Sequence, residues 1–538
     1  MYTHPSVAEL LEGVRRNLDN ELLPMLDGHP DAQRLVLPML AVLDRAAAEA
    51  GDRVPALATD TRLLVGVLDE LATRAGGRDG GPAVRALVDG LRLASPGATV
   101  DEWTAANHAA RAALVEAMDL LGLPAAADAP PALKDIDAFV LGALIDYADR
   151  ELAAIPQVSR AEVLARMNHS MAGMPIGDMP DRLAAFLEHE LAGGCEPGSV
   201  RVPVLDRLAG GNSRDTYLVQ IDYRTEDGRD VHHQCVMQRE AVSSVLDTDA
   251  VEGVIDGTRR RPETEFKAVR AVERAGLKVP HMLWCDPTGD WLDRPFTLAR
   301  VEPGATPDVE LRAGDPAKLA RVYDDYVQTL AALHSLDVDE LDVGFLGGMT
   351  CADAARSQVE LFEAAFRKNA REIYPGVEYL IRWLRANTPT AHEISLIHGD
   401  FRRGNFLIDD DRVTAYIDWE QVHLGDPTEE IAFMYWAMWS LEPVLALDEF
   451  LSRYEAARGI TVDRDLLAFW RMFLELKMLV VGVTGINSYF ASPNRQLAYT
   501  DPYGHTFTTE CYRRTLVELQ LGGPSYDFPA GKGAPLLY

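Results

Sequence analysis

The sequence predicts an α+β protein: an all-helical N-terminal domain, then a small antiparallel sheet lobe, then a large helical lobe. Three observations carry this. The first 190 or so residues place apolar side chains at helical spacing, as at Leu10, Leu11, Val14, Leu18, Leu22 and Leu23. From Val202 to Gln238 the texture changes to short runs rich in Val, Tyr and Ile, broken by Gly and Asp, which read as strands. From Asp315 onward long helical patterns return, interrupted only by short apolar strands. At 538 residues the chain is too long for one core, so domains at 1–194, 195–305 and 306–538 are expected.

In the first domain helices are expected over Val7–Leu26, Leu35–Ala50, Thr61–Ala75, Val84–Leu93, Glu102–Leu121, Ile136–Ile155 and Arg160–Leu191. The Pro/Ala/Asp-rich run Leu123–Pro131 marks a sub-boundary, and Gly193, Gly194 and Pro197 mark the domain's end. Strands follow at Val202–Leu208, Thr216–Tyr223 and Val231–Gln238, the last two joined through an Asp227-Gly228 turn. A helix near Pro262–Ala275 precedes two more strands, His281–Cys285 and Phe296–Val301.

Composition narrows the function classes. Hydrophobic residues make up 47% and charged residues 25%, as in ordinary globular proteins. A formal charge of -31 repels polyanions, so no nucleic-acid partner is expected. No apolar run is long enough to span a bilayer, and Met1–Glu12 lacks the basic and apolar regions of a secretory signal. The five cysteines are scattered, without a CxxC pair. A reducing, cytoplasmic setting without membrane attachment is the expectation.

The strongest signal is Ser395–Ile431, SLIHGDFRRGNFLIDDDRVTAYIDWEQVHLGDPTEEI. An apolar strand, Ile394–Ile397, stops at His398-Gly399-Asp400, and Asn405 follows five residues after Asp400. Two further strands, Phe406–Ile408 and Val413–Ile417, would form a hairpin ending at Asp418. Asp400, Asn405 and Asp418 would then converge on one cleft. Phosphoryl transfer needs such a set: a carboxylate to accept an alcohol's proton and two oxygen ligands for magnesium.

These residues resemble the aminoglycoside phosphotransferase superfamily, related to choline kinases and distantly to protein kinases. The resemblance runs from about Val202 to the C-terminus, and its branch resembles phosphotransferases associated with acyl-CoA dehydrogenases and hydroxyacyl-CoA kinases. It implies a bilobal protein-kinase-like fold and a kinase that uses ATP and Mg²⁺ to phosphorylate a hydroxyl of a small molecule, hydroxyacyl-CoA-like or aminoglycoside-like. Asp400 matches the catalytic base, Asn405 and Asp418 the magnesium ligands, and His398 a histidine that shapes the loop. Asp426 matches an acidic brace of that loop. Arg402, beside Asp400, either steadies an anionic group or braces the loop.

In the sheet lobe the resemblance assigns Gly210, Gly211, Asn212 and Ser213 to a phosphate-covering loop. The third strand should end in a cation for the phosphates. The segment Cys235–Glu240 has no Lys; Arg239 is the candidate, with Gln238 at the position if the register shifts. Its partner acid is expected at Glu265 on the following helix, with Glu263 as alternative. Backbone groups near Ala299 and Val301 are expected to meet adenine. Tyr435, Trp436 and Trp439 line either the core or a substrate pocket. The N-terminal domain is expected to gate the cleft, bind substrate or form a homodimer. There is no GxxxxGK[ST], so a P-loop NTPase is excluded. The departure at the third strand leaves a nucleotide-binding pseudokinase as the alternative function.

Overall fold

The computed structural model describes residues 11, 14–18, 22–25, 30–93, 99–154, 177–208, 214–240, 262–306, 316–410, 412–436, 441, 445–491 and 503–525. Four long helices open the described chain: α1 Pro30–Ala75, α2 Gly81–Leu93, α3 Val100–Leu121 and α4 Pro131–Ala154. α1 runs through Pro55, where the sequence reading separated two helices. Proline removes one donor from the ladder, and tertiary packing carries the helix across that loss. α3 begins at a capping box in which Thr99 and Glu102 satisfy each other's backbone N–H groups, and it ends on Gly122 at φ 65°. Part of the expected Val7–Leu26 helix, and residues 160–176 of the expected Arg160–Leu191 helix, lie outside the described residues.

These helices dock on the C-terminal lobe. Leu64, Leu68, Leu114 and Tyr147 share one buried core with Leu380 and Tyr512. The seam also carries polar contacts: Tyr379 donates its hydroxyl to Asp137 Oδ1 at 3.0 Å, and Arg111 donates to the Ile373 carbonyl at 3.2 Å.

The sheet lobe contains α5 Met179–Glu190, β1 Arg201–Arg207, β2 Arg214–Arg224, β3 Asp230–Glu240, α6 Pro262–Arg274, β4 Met282–Asp286 and β5 Phe296–Arg300. The five strands form one antiparallel sheet in the order β1-β2-β3-β5-β4. Alternation decides its faces. Tyr217, Val219, Ile221, Cys235, Met237, Phe296 and Leu298 are buried together, and Leu183, Phe186 and Leu187 of α5 belong to the same cluster. Ala268, Val269, Ala271 and Val272 of α6 join the other core, which continues into the helical lobe.

The helical lobe comprises α7 Pro316–His334, α8 Ala354–Asn369, α9 Pro375–Ala386, α10 Thr428–Met434, α11 Leu447–Arg458, α12 Arg464–Ala491 and α13 Tyr503–Gln520. Between α9 and α10 lie β6 Ser395–Ile397, β7 Phe406–Asp409, β8 Arg412–Tyr416 and β9 His423–Gly425. β7 and β8 form the expected hairpin, while β6 pairs with β9, a strand the sequence did not announce. Together with the sheet lobe this is the bilobal, protein-kinase-like α+β arrangement preceded by helices. Among the described residues no helix is long and apolar enough to cross a membrane.

The lobes are pinned where the connecting segment meets the hairpin. Ala305 and Ile408 exchange both backbone hydrogen bonds at 3.0 Å. Gly304 has φ 105°, and a Cβ there would stand 2.6 Å from the Ile408 carbonyl oxygen, so the close approach requires glycine.

Candidate active site

The turn between β6 and β7 carries His398, Asp400, Arg402 and Asn405, tied together by hydrogen bonds. His398 is fully buried. Its Nδ1 accepts the Asp400 N–H at 3.2 Å, so its Nε2 carries the proton and donates it to the Ile417 carbonyl at 3.0 Å. Burial also holds the ring below its ordinary range, in agreement with a neutral imidazole. With both nitrogens engaged, His398 links the Asp400 loop to the strand leading into Asp418; it is a brace without a proton to transfer.

The Asp400 carboxylate is held from two sides. Arg402 Nε donates to Oδ1 at 3.0 Å, and Asn405 Nδ2 donates to Oδ2 at 2.6 Å. Asn405 Nδ2 also reaches the Asp400 carbonyl at 2.9 Å, which leaves the amide Oδ1 as an oxygen donor. The Ile417 N–H donates to the Asn405 carbonyl at 2.9 Å and so brings Asn405 beside Asp418.

Asp418 adopts φ 69°, a left-handed conformation that non-glycine residues rarely hold and that clusters at functional sites. It is half-buried, and loss of water around it, then Glu420, Asp400 and Glu265, push its carboxyl well above the ordinary range, with Arg402 opposing. A carboxylate among other carboxylates, beside an amide oxygen, is a donor set that fits a hard divalent cation.

Several supports were not legible beforehand. Glu430, fully buried, accepts the backbone N–H of His398 at 3.0 Å and of Gly399 at 2.8 Å, and it meets His334 Nε2 at 3.1 Å. Burial opposes its ionisation, yet these donors hold its carboxyl below the ordinary range. Lys477 Nζ donates to the Gly399 carbonyl at 2.6 Å. Asp426 was expected to brace this loop. Instead its carboxylate accepts from Trp470 Nε1 at 2.8 Å and the Thr428 N–H at 2.9 Å, which fastens α10 to α12.

The sheet lobe corrects one expectation. Arg239 does not pair with Glu265. It lies on the face of β3 shared with Cys235 and Met237, where it donates to Asp215 at 3.2 Å, Tyr217 at 3.3 Å and the Leu292 carbonyl at 3.4 Å. The reason is strand alternation: Asp215 and Arg239 are cross-strand partners and point to the α5 side. Glu265 pairs with Arg214 through Oε2 and accepts the Trp419 N–H at 3.2 Å through Oε1. Glu263 pairs instead with Lys267, one turn along the half-exposed face of α6.

The remaining expected positions separate. Ala299 is locked between Val236 and Met282 in the sheet, and the Val301 N–H is donated to the Gln234 carbonyl at 2.9 Å, so Val301 offers no free N–H to a base. Tyr435 is in the core with its hydroxyl on the Leu445 carbonyl at 3.0 Å, and Trp436 donates to Glu475 at 3.2 Å. Gly210, Gly211, Asn212, Ser213 and Trp439 lie outside the described residues.

A two-lobed fold with an aspartate on a pinned loop, an asparagine beside it and a strained aspartate after the hairpin defines the kinase-like class of phosphotransferases. Residues 205–470 match the model of the phosphotransferase enzyme family. Human acyl-CoA dehydrogenase family member 11 is 28% identical over 313 residues, 55% of this chain and 37% of the relative. Hygromycin-B 4-O-kinase of Escherichia coli is 40% identical over 80 residues, 15% of this chain and 21% of the relative. A crystal structure of aminoglycoside phosphotransferase APH(4)-Ia with ADP and hygromycin B is 15% identical, covering 62% of this chain and 98% of that one at a TM-score of 0.38. The chain thus spans between about a fifth and just over a third of the curated relatives.

Proposed function

We propose that the protein transfers the γ-phosphoryl group of Mg·ATP to a hydroxyl of a small molecule. The observation that carries this is the Asp400 carboxylate. It is fixed by Arg402 and Asn405 on a loop whose backbone is held by Glu430 and Lys477, with Asp418 beside it. Positioning and charge stabilisation supply most of the catalysis in phosphoryl transfer, and this loop is built for both.

Asp400 orients the acceptor hydroxyl and takes its proton as the oxygen attacks phosphorus. Asn405 holds that carboxylate in place through its Nδ2. Asn405 Oδ1 and the Asp418 carboxylate would hold magnesium, which when bound neutralises charge on the phosphates. Arg402 fixes one Asp400 oxygen, leaving the other oriented by Asn405. The identity shared with human acyl-CoA dehydrogenase family member 11 covers more of the chain than that with hygromycin-B 4-O-kinase, 55% against 15%, and this favours a hydroxyacyl-CoA acceptor over an aminoglycoside.

The test is transfer of labelled γ-phosphate into hydroxyacyl-CoAs and aminoglycosides supplied side by side. Label in a hydroxyacyl-CoA supports the reading in full. Label in an aminoglycoside keeps the kinase and overturns the acceptor. Nucleotide binding without transfer to either class, or to a metabolite extract, favours a regulatory pseudokinase.

A further inference from the structure

The face of the β2–β3 pair that looks toward α6 lacks a charged residue where a third-strand cation would stand. Directly opposed residues share a face, so Thr216 with Gln238 and Arg214 with Glu240 lie on one side, and Asp215 with Arg239 on the other. Gln238 is neutral, and Arg239 is on the α5 side among Asp215, Tyr217 and Leu292. The cation on the α6 side is Arg214.

Its position is unusual for a surface-strand arginine. Arg214 is the first residue of β2, immediately after the glycine-containing segment 209–213. It is buried, with its guanidinium paired to Glu265 on α6 and its Nε 3.6 Å from Glu420. Glu265 in turn holds the Trp419 N–H, next to Asp418. One side chain therefore joins the sheet, the helix and the Asp418 segment. That is where the phosphates of a nucleotide must lie if Asp400 and Asp418 act on the γ-phosphate.

We propose that Arg214 is the cation that holds the nucleotide phosphates, with Glu265 as the residue that positions it; this rests on the phosphotransferase reading above. The buried carboxylates Asp400, Glu420 and Glu265 and the half-buried Asp418 stand around the site, and a guanidinium with several donors in a fixed fork can serve Glu265 and a phosphate together. Arg214 thus supplies, from the adjacent strand, the charge that the neutral Gln238 does not.

The experiment measures binding of magnesium with a non-hydrolysable ATP analogue, and of adenosine, to full-length variants by calorimetry. Loss of a charge-assisted contact is expected to weaken the analogue by about ten- to hundredfold in Arg214→Met, with adenosine affinity unchanged. Gln238→Arg in that background returns a cation to the same face and restores affinity for the analogue. Arg239→Met stays within about twofold of wild type for both ligands, well short of a lost charged contact. If Arg214→Met does not fold, Arg214→Lys serves, with a smaller loss confined to the analogue. Equal loss of analogue and adenosine, an unchanged analogue affinity, or a phosphate-selective loss in Arg239→Met overturns the proposal. Wild-type protein that binds neither nucleotide overturns the phosphotransferase reading along with it.

Discussion

Glu430 Oε1 accepts the backbone N–H of Gly399 at 2.8 Å, one residue before Asp400. The same carboxylate accepts the His398 N–H and meets the His334 ring, so a single buried acid on α10 fixes the backbone of the turn that carries Asp400. Removing it strands buried donors. Glu430→Ala is expected to cost about 3–5 kcal/mol, as for breaking a buried charged pair, measured by urea unfolding. Glu430→Gln keeps an acceptor oxygen and loses the charge, so its cost is smaller. A Glu430→Ala protein as stable as wild type would contradict this role.

Gly304 supports the junction between lobes. Gly304→Ala places a methyl against the Ile408 carbonyl at a left-handed φ. Strain of this kind costs about 1–3 kcal/mol, and the backbone clash adds to it. The expected result is a lowered Tm together with faster amide exchange at Ala305 and Ile408, whose hydrogen bonds hold the lobes together. Unchanged exchange there would show that the junction relaxes elsewhere.

Glu510 gives a pH signature remote from the cleft. Burial pushes its carboxyl up to about 7, against 4.5 in its ordinary state, with Arg513 opposing. Its Oε2 is buried without a hydrogen-bond partner. The folded state therefore holds a proton that the unfolded chain has released between pH 4.5 and 7, so wild-type stability falls as pH rises through that window. Glu510→Gln removes the effect. The Tm advantage of the variant is expected to be near zero at pH 4.5, to grow as pH rises, and to level off above pH 7. An advantage independent of pH would refute the assignment.

Much of this was legible in the sequence because it depends on local pattern. The strands announce themselves by β-branched and aromatic runs, and the spacing of HGDFRRGN and the later Asp418 announces the loop and hairpin that bring these residues together. What was not legible depends on tertiary partners. β9 is three residues long and exists because β6 needs a neighbour. Glu430 reads as one acid among several on a short helix until the fold places it under the turn. The direction of Arg239 had a readable signal: it alternates with Cys235 and Met237, apolar residues that face a core, whereas Gln238 does not. Nothing local marks Arg214 as the partner of Glu265, because the β2–β3 hairpin and residues 241–261 separate them in the chain.

The central claim is that Asp400 accepts the acceptor's proton during phosphoryl transfer. Single-turnover transfer from Mg·ATP in Asp400→Asn against wild type tests it most directly. The expected result is a rate lower by about 10²–10⁴, with ATP affinity preserved. A variant that transfers phosphate at the wild-type rate would contradict the account and remove Asp400 from the chemistry.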